Sequence, residues 1–235
     1  MALILSLETS TKVCSVALAK DSEVIAVREL YEANSHASYL TVFVQELFEE
    51  LSDYSLQDID AVAVSSGPGS YTGLRIGVSV AKGLCYALGK PLISITSLLA
   101  ASTHVPTLPQ LKGKVDAKTW YCPMIDARRM EVYCTLFNDL MEMQIPIEAK
   151  IIDKDSFVEE LNTRKIVFYG DGSQKCTTAI QHPNAIFLDE VVPLASQMAV
   201  VAAKKYQAGE FEDVAYFEPF YLKDFIATTP KKKFF

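Results

Sequence analysis

A glycine-rich stretch, residues 67–77, has the residue types and spacing of a loop that could hold a phosphate group. It joins a short apolar run to a long segment with helical periodicity. Glycines let a backbone approach a ligand closely, and the free N–H groups at a helix start attract anions. The P-loop pattern fails, because counting on from Gly67 reaches Thr72, Gly73 and Leu74 instead of Gly-Lys-Ser/Thr. Two interpretations stay open: a tight packing turn and a direct nucleotide cradle.

Two other polar segments could contact a ligand, and each follows an apolar run. The first contains Glu8, Thr9, Ser10 and Thr11, and the second contains Asp126, Arg128 and Arg129. Hydroxyl groups can bond a phosphate, but in turns they usually bond their own backbone. The two arginines could bind an anion bidentately or pair with carboxylates such as Asp126 or Glu131. Both alternatives stay open for each segment.

Cysteine and histidine spacing predicts no metal site. The residues concerned are Cys14, Cys85, Cys122, Cys134, Cys176, His36, His104 and His182. No two cysteines have the spacing of a zinc or redox motif, and the histidines are isolated from other ligand types. Five cysteines, an odd number, are therefore expected to be buried, reduced thiols.

Composition indicates a globular protein and limits its partners. The chain has 235 residues, 50% of them hydrophobic, which is enough for one large core or two smaller ones. No apolar run approaches the roughly 18 residues of a membrane span, so we expect a cytoplasmic protein without a membrane partner. A net charge of −7 argues against autonomous nucleic-acid binding. Any contact with RNA should need a partner protein.

The order of predicted elements occurs twice. The first half has strands at 3–7, 14–19, 23–30, 61–65 and 92–95 and helices at 38–51, at 72–88 and from 97. The second has strands at 121–125, 132–137, 144–149, 166–169 and 185–188 and helices at 156–161, 176–181 and 194–207. A βββαβαβα order in each half predicts two α/β lobes facing a cleft, with lobes at 1–105 and 119–235 and a connection at 106–118.

Several motifs together resemble the bacterial TsaB (YeaZ) family over nearly the whole chain. They are Leu7-Glu8-Thr9-Ser10, Cys14-Ser15-Val16-Ala17-Leu18, Ser35-His36, Leu40, the stretch 67–77, Ile125-Asp126-Ala127-Arg128, Glu131-Val132-Tyr133 and Tyr221-Leu222. The resemblance implies the actin-like ATPase (ribonuclease H-like, ASKHA) fold. It also implies a non-catalytic subunit that pairs with a paralogous catalytic subunit, TsaD, and is joined by a small ATPase, TsaE.

In that family the complex places threonylcarbamoyl on the adenosine next to the anticodon of tRNA. The resemblance therefore implies that tRNA is contacted only through the complex and that a homodimer can form when the partner is absent. We expect no tightly bound cofactor, and ATP or ADP bound weakly or only within the complex. The alternative is an independent ATP-dependent kinase of the same fold that acts on a small molecule, with Glu8 or Asp126 as base.

The chain departs from its relatives at positions that would hold a nucleotide or a metal. Glu8 stands where the family usually has aspartate. The catalytic paralogue binds a metal through two histidines four residues apart, whereas here His36 is followed at that spacing by Leu40. Neither polar turn has the glycine that relatives use to wrap phosphates. Gly170 and Gly172 follow a strand where relatives contact adenosine, yet they also suit an ordinary turn. His36 is accordingly expected to bond nearby backbone.

Two helices carry candidate docking residues. In the second helix Gly73, Gly77 and Ala81 recur every four residues, although each glycine costs about 1 kcal/mol of helix propensity. Either close packing within the chain or a helix-on-helix contact with the paralogue would explain them. In the first helix, Tyr39 and Val42 widen the apolar stripe beyond what one core needs. The complete predicted interface is His36, Tyr39, Leu40, Val42, Phe43, Gly73, Gly77 and Ala81.

Overall fold

The first lobe is a five-stranded sheet with two long helices packed on it. The computed structural model describes residues 2–33 and 35–223 of the chain. This lobe contains β1 (Leu3–Glu8), β2 (Cys14–Lys20), β3 (Glu23–Leu30), α1 (His36–Glu50), β4 (Ala61–Gly67), α2 (Tyr71–Leu88), β5 (Leu92–Thr96) and the short α3 (Ser97–Ala100). The strand order is β3-β2-β1-β4-β5, in which β1, β4 and β5 are parallel while β2 pairs antiparallel with both neighbours.

The second lobe repeats this arrangement around its own sheet. It contains β6 (Trp120–Asp126), β7 (Glu131–Phe137), β8 (Met143–Ile151), α4 (Val158–Leu161), β9 (Ile166–Tyr169), β10 (Ala185–Phe187) and α5 (Ala199–Ala208). The sheet order, β10-β9-β6-β7-β8, matches that of the first sheet strand for strand. Antiparallel pairing of β6 with β7 and of β7 with β8, and parallel pairing of β6, β9 and β10, also match. The described sheets thus show the duplicated order that the sequence predicts.

One predicted helix of the second lobe is reduced to a short turn. The sequence predicts a helix at 176–181, whereas the structure has a 3-10 turn over Gln174–Cys176. The Thr177 hydroxyl donates to the Gln174 carbonyl at 2.9 Å, which competes with helical hydrogen bonding. Thr178 is also β-branched, so two consecutive residues disfavour helix here.

Local signals determine where α2 begins and ends. The Ser70 hydroxyl accepts a hydrogen bond from the Gly73 amide at 3.2 Å, and Gly89 ends the helix in a left-handed conformation with φ of 65°. With 18 residues, α2 is the longest described helix. Neither it nor any other helix in the described part of the chain is long and apolar enough to cross a membrane.

An apolar joint connects the lobes. Leu98 and Val105, which follow β5, pack in one buried cluster with Tyr121 of β6. Within this cluster the Tyr169 hydroxyl donates to the Ser102 hydroxyl at 2.7 Å, and both side chains are fully buried. The joint therefore combines apolar packing with a satisfied buried hydrogen bond.

The chain returns to the first lobe at its C-terminal end. Ala202 of α5 packs against Ile4 and Ala61 of the first sheet. Further along, the Glu212 amide donates to the Leu92 carbonyl at 2.9 Å. The predicted division placed residues 119–235 in the second lobe, but the described segment from Ala199 onward makes these contacts with the first sheet, because α5 buries its apolar face there.

Candidate functional site

The polar turn after β1 is closed by the glycine-rich stretch. Its members Glu8, Thr9, Ser10 and Thr11 are all buried. The Ser70 amide donates to the Ser10 carbonyl at 2.6 Å, and the Thr9 hydroxyl donates to the Gly73 carbonyl at 2.8 Å. The turn thus bonds the chain's own backbone, and the glycine-rich stretch packs on it instead of remaining open to a ligand.

The glycines of α2 permit this close packing. A Cβ atom on Gly73 would overlap the Thr9 carbonyl oxygen, and one on Gly77 would overlap the Thr9 hydroxyl. Ala81, one turn further along, is fully buried in the core of the first lobe. Packing within the chain accounts for all three small residues. This corrects the assignment of Gly73, Gly77 and Ala81 to a partner interface.

Glu8 is a buried carboxyl group in this closed turn. Its Oε1 atom accepts a hydrogen bond from the Ser10 amide at 2.5 Å, while Oε2 has no hydrogen-bond partner among the described residues. Burial raises the pKa of Glu8 above its ordinary value of 4.5, and the hydrogen bonds of Ser10 lower it less.

The actin-like fold implies a nucleotide with its cation near this turn, and the residues present do not fit that ligand. Glu8 has no exposed surface, so its carboxyl group cannot reach a hydrated cation. Within residues 2–33 and 35–223 there is also no cluster of three His, Cys, Asp or Glu side chains that could hold a metal ion.

The turn after β6 differs because its cationic side chains face solvent. Arg128 and Arg129 are exposed and have left-handed backbone conformations, with φ of 72° and 50°. The nearby carboxylates of Asp126 and Glu131 form ion pairs with lysines instead. Within the described residues, neither arginine has an ion-pair partner. Of the two interpretations, an anion contact is therefore the one that the geometry leaves open.

Gly170 and Gly172 lie in a loop that packs against β6 next to this second turn. A Cβ atom on Gly170 would overlap the Met124 carbonyl oxygen, and one on Gly172 would lie 3.0 Å from the Asp126 amide nitrogen. The glycines let their loop pack directly on β6. Asp171, between them, accepts a hydrogen bond from the Asp126 amide at 3.0 Å. A nucleotide contact at these glycines stays a prediction.

An apolar groove lies between α1 and α2. Its volume is about 480 Å³, and it is lined by Thr41, Val44, Gln45, Phe48, Glu49, Tyr54, Ser55, Leu56, Val80 and Leu84. On α1, Tyr39 and Val42 expose 42% and 41% of their surfaces. Neither residue lines the groove, so α1 presents two separate apolar features, the groove and these exposed side chains, and both are typical of a protein interaction site.

Three other residues predicted for the interface face inward. His36, Leu40 and Phe43 are buried, and the His36 ring nitrogen Nε2 lies 3.2 Å from the Val13 carbonyl oxygen. Their assignment to the interface is corrected, because they hold α1 on its own sheet. Val80 and Leu84 line the groove but are absent from the predicted interface, although their four-residue spacing on α2 was an available signal.

Comparison with known proteins finds relatives along nearly the whole chain. The protein-family model described as TsaD: tRNA N6-adenosine threonylcarbamoyltransferase matches residues 30–231. The tRNA threonylcarbamoyladenosine biosynthesis protein TsaB of Escherichia coli K12 is 31% identical over 230 residues, covering 95% of this chain and 96% of the relative. The chain belongs to the TsaB family.

Other TsaB and YeaZ proteins agree with this assignment. TsaB of Bacillus subtilis 168 is 34% identical over 172 residues, which cover 71% of this chain and 70% of the relative. The solved structure of YeaZ from Pseudomonas aeruginosa aligns with 94% of this chain and 100% of that chain, with a TM-score of 0.79 and 25% identity. The two-lobed, actin-like α/β fold that the TsaB resemblance implies is confirmed.

In this TsaB chain, we expect Glu8→Gln to stabilise the fold at neutral pH. Because burial raises the pKa of Glu8, the unfolded chain ionises first as the pH rises above 4.5. The free energy of unfolding therefore has its full value below that pH and declines as the pH rises above it. Glutamine cannot ionise, so the free energy of unfolding should increase at pH 8 and change little at pH 4.

Urea unfolding at both pH values measures this effect. Glu23→Gln, at an exposed glutamate that begins β3, is the control and should change stability little at either pH. An equal effect of Glu8→Gln at pH 4 and pH 8, or destabilisation confined to pH 8, would contradict the expected role of burial.

Proposed function

We propose that this member of the TsaB family is a non-catalytic subunit of the complex that makes threonylcarbamoyladenosine in tRNA. Its relatives are named for that biosynthesis, and the matching family model is named for the transferase. The chain pairs with a TsaD-type paralogue, and a TsaE-type ATPase joins the pair. Threonylcarbamoyl then reaches the adenosine next to the anticodon. The tRNA is contacted through the complex, since this chain carries a net charge of −7.

The apolar groove between α1 and α2 carries the proposal. A partner helix with one apolar face would cover Phe48 from α1 and both Val80 and Leu84 from α2. Tyr39 and Val42, which are exposed on another face of α1, form a second part of the proposed pairing surface. We assign the TsaD-type paralogue to the groove: the family model named for it matches residues 30–231, which include α1 and α2, so the paralogue has equivalent helices, one of which would pack in this groove.

The closed turn after β1 supports the non-catalytic part of the proposal. Its Thr9 hydroxyl and Ser10 carbonyl are already bonded within the chain, so a phosphate group has no access to them. Arg128 and Arg129 remain exposed at the other turn. Nucleotide binding is therefore weak in the isolated chain, or requires the complex to complete the site.

The rival function, an independent ATP-dependent small-molecule kinase, predicts a different result in calorimetry. Such an enzyme should bind ATP with magnesium in the micromolar range without any partner. We expect no heat signal of that kind from the purified chain, because one of the two phosphate-facing turns is closed. Micromolar binding of ATP by the isolated chain would contradict this expectation and favour the kinase.

Pairing is tested by titrating the purified TsaD-type paralogue from the same organism into this chain. A groove that excludes water from several apolar side chains should give a stable one-to-one complex. Sedimentation of the chain alone shows whether it forms a homodimer when the paralogue is absent. Failure of the two purified proteins to associate would contradict the proposed function.

A further inference from the structure

The described end of the chain, residues 210–223, runs across the first lobe without forming a helix or strand of its own. We call it the C-terminal strap. At its start, Glu212 bonds Leu92 through its amide and Ser94 through its carboxylate, at 2.9 Å and 2.5 Å. Further along, the Lys82 ammonium group donates to the carbonyls of Ala215 and Phe217 at 3.1 Å and 3.0 Å. These contacts fix the strap to β5 and α2.

The strap then crosses the turn that begins α2. The Phe220 amide donates to the Ser66 carbonyl at 2.7 Å, and the Phe220 carbonyl lies where a side chain on Gly67 would be, 2.8 Å from a Cβ built there. The Tyr221 hydroxyl accepts a hydrogen bond from Arg75 at 3.2 Å, and its ring packs on Tyr71 with centroids 4.9 Å apart. The strap is therefore held by the first lobe from Glu212 to Tyr221.

Its last described residue reaches the second lobe. The Lys223 ammonium group forms an ion pair with the carboxylate of Glu131, the first residue of β7. Glu131 stands at the base of the β6–β7 hairpin that carries Arg128 and Arg129. The ion pair is part-exposed, with 42% of the Lys223 side chain and 21% of the Glu131 side chain accessible. The strap thus links the first lobe to the β6–β7 hairpin of the second lobe.

We propose that the C-terminal strap is a salt-sensitive latch that ties the β6–β7 hairpin to the first lobe and whose release lets the two lobes move apart. On the first lobe the strap has several backbone hydrogen bonds and an aromatic contact. On the second lobe its described contact is one part-exposed ion pair, the type of interaction that contributes weakly and is screened by salt. The hairpin end therefore releases first.

The apolar joint between the lobes survives this release. Leu98, Val105 and Tyr121 remain packed there, and the Tyr169–Ser102 hydrogen bond is buried, so neither depends on the strap. Opening is then a movement of the second lobe about the joint. The latch concerns this chain alone and does not depend on the proposed pairing with the paralogue.

Distance measurements between two spin labels test the latch in the full chain. Ser79→Cys on α2 and Gln144→Cys on β8 supply exposed labelling sites in different lobes. The five native cysteines are buried, so labels attach selectively to the introduced ones. Lys223→Ala and Glu131→Gln each remove the ion pair. Lys205→Ala is the matched control, since its ion pair with Glu210, at 3.5 Å, attaches the start of the strap to α5.

We expect one main distance in the parent protein at low salt and a second, longer distance that grows with added salt. Lys223→Ala and Glu131→Gln should each raise the ratio of open to closed molecules about two- to five-fold at low salt. The double variant should match the single variants, because both act through one contact. Unchanged distances in both single variants, or the same change in Lys205→Ala, would overturn the latch.

Discussion

Val42→Asp is expected to abolish pairing with the TsaD-type paralogue while leaving the chain folded. Val42 exposes 41% of its surface in the free chain, so a carboxylate there stays hydrated and costs little. In the paired state the same carboxylate would lose its water without gaining a partner. Burying an unpaired charge costs several kcal/mol, so we expect affinity to fall by about 100-fold or more. Tyr39→Asp should act in the same direction.

The measurement is a calorimetric titration of each variant with the paralogue, together with a thermal unfolding scan. Val200→Asp provides a matched control, because Val200 lies on α5 and exposes 48% of its surface. It introduces the same charge at a similar exposure on a helix other than α1. Unchanged affinity in Val42→Asp, or an equal loss in Val200→Asp, would contradict the assignment of the exposed side of α1 to the pairing surface.

Gly73→Ala is expected to destabilise the first lobe, although alanine is a better helix former than glycine. Propensity alone would favour alanine by about 1 kcal/mol in α2. The added Cβ atom would overlap the Thr9 carbonyl oxygen, which is backbone and is fixed between β1 and β2. The helix or the turn must therefore move. We expect a net loss of about 2–4 kcal/mol, as for other overpacked buried sites.

Gly83 lies in the same helix and supplies the control. No atom lies within 4 Å of a Cβ atom built at Gly83, so Gly83→Ala should gain about 0.5–1 kcal/mol from propensity alone. Chemical denaturation of both variants at one pH measures the two changes. If Gly73→Ala matched Gly83→Ala in sign and size, the close contact between α2 and the β1–β2 turn would be contradicted.

Most of the fold could be predicted from the sequence because it depends on local patterns. The apolar runs of β2 and β3, the helical spacing of apolar residues in α2 and the glycine that ends α2, Gly89, are each visible within a few neighbouring positions. The duplicated strand order followed from them. The helix predicted at 176–181 was wrong because the Thr177 hydroxyl bonds backbone instead, which helical spacing alone does not reveal.

The candidate site was harder to predict because its contacts join distant residues. Gly73 is small because it meets Thr9, 64 positions earlier, and nothing near either residue reveals that pairing. Helical spacing identified Gly73 and Gly77 as unusual, but it could not tell an internal contact from a partner's helix. The breadth of the apolar stripe on α1 singled out Tyr39 and Val42, which the structure leaves exposed. Their docking role stays a prediction.

Reconstitution of the modification reaction tests the central proposal most directly. Purified TsaD-type paralogue, TsaE-type ATPase, threonylcarbamoyl-adenylate and unmodified tRNA are combined with or without this chain, and modified adenosine is measured by nucleoside mass spectrometry. We predict that product forms only when the chain is present, that Val200→Asp supports the reaction and that Val42→Asp does not. Equal amounts of modified adenosine with and without the chain would contradict its role as a required partner subunit.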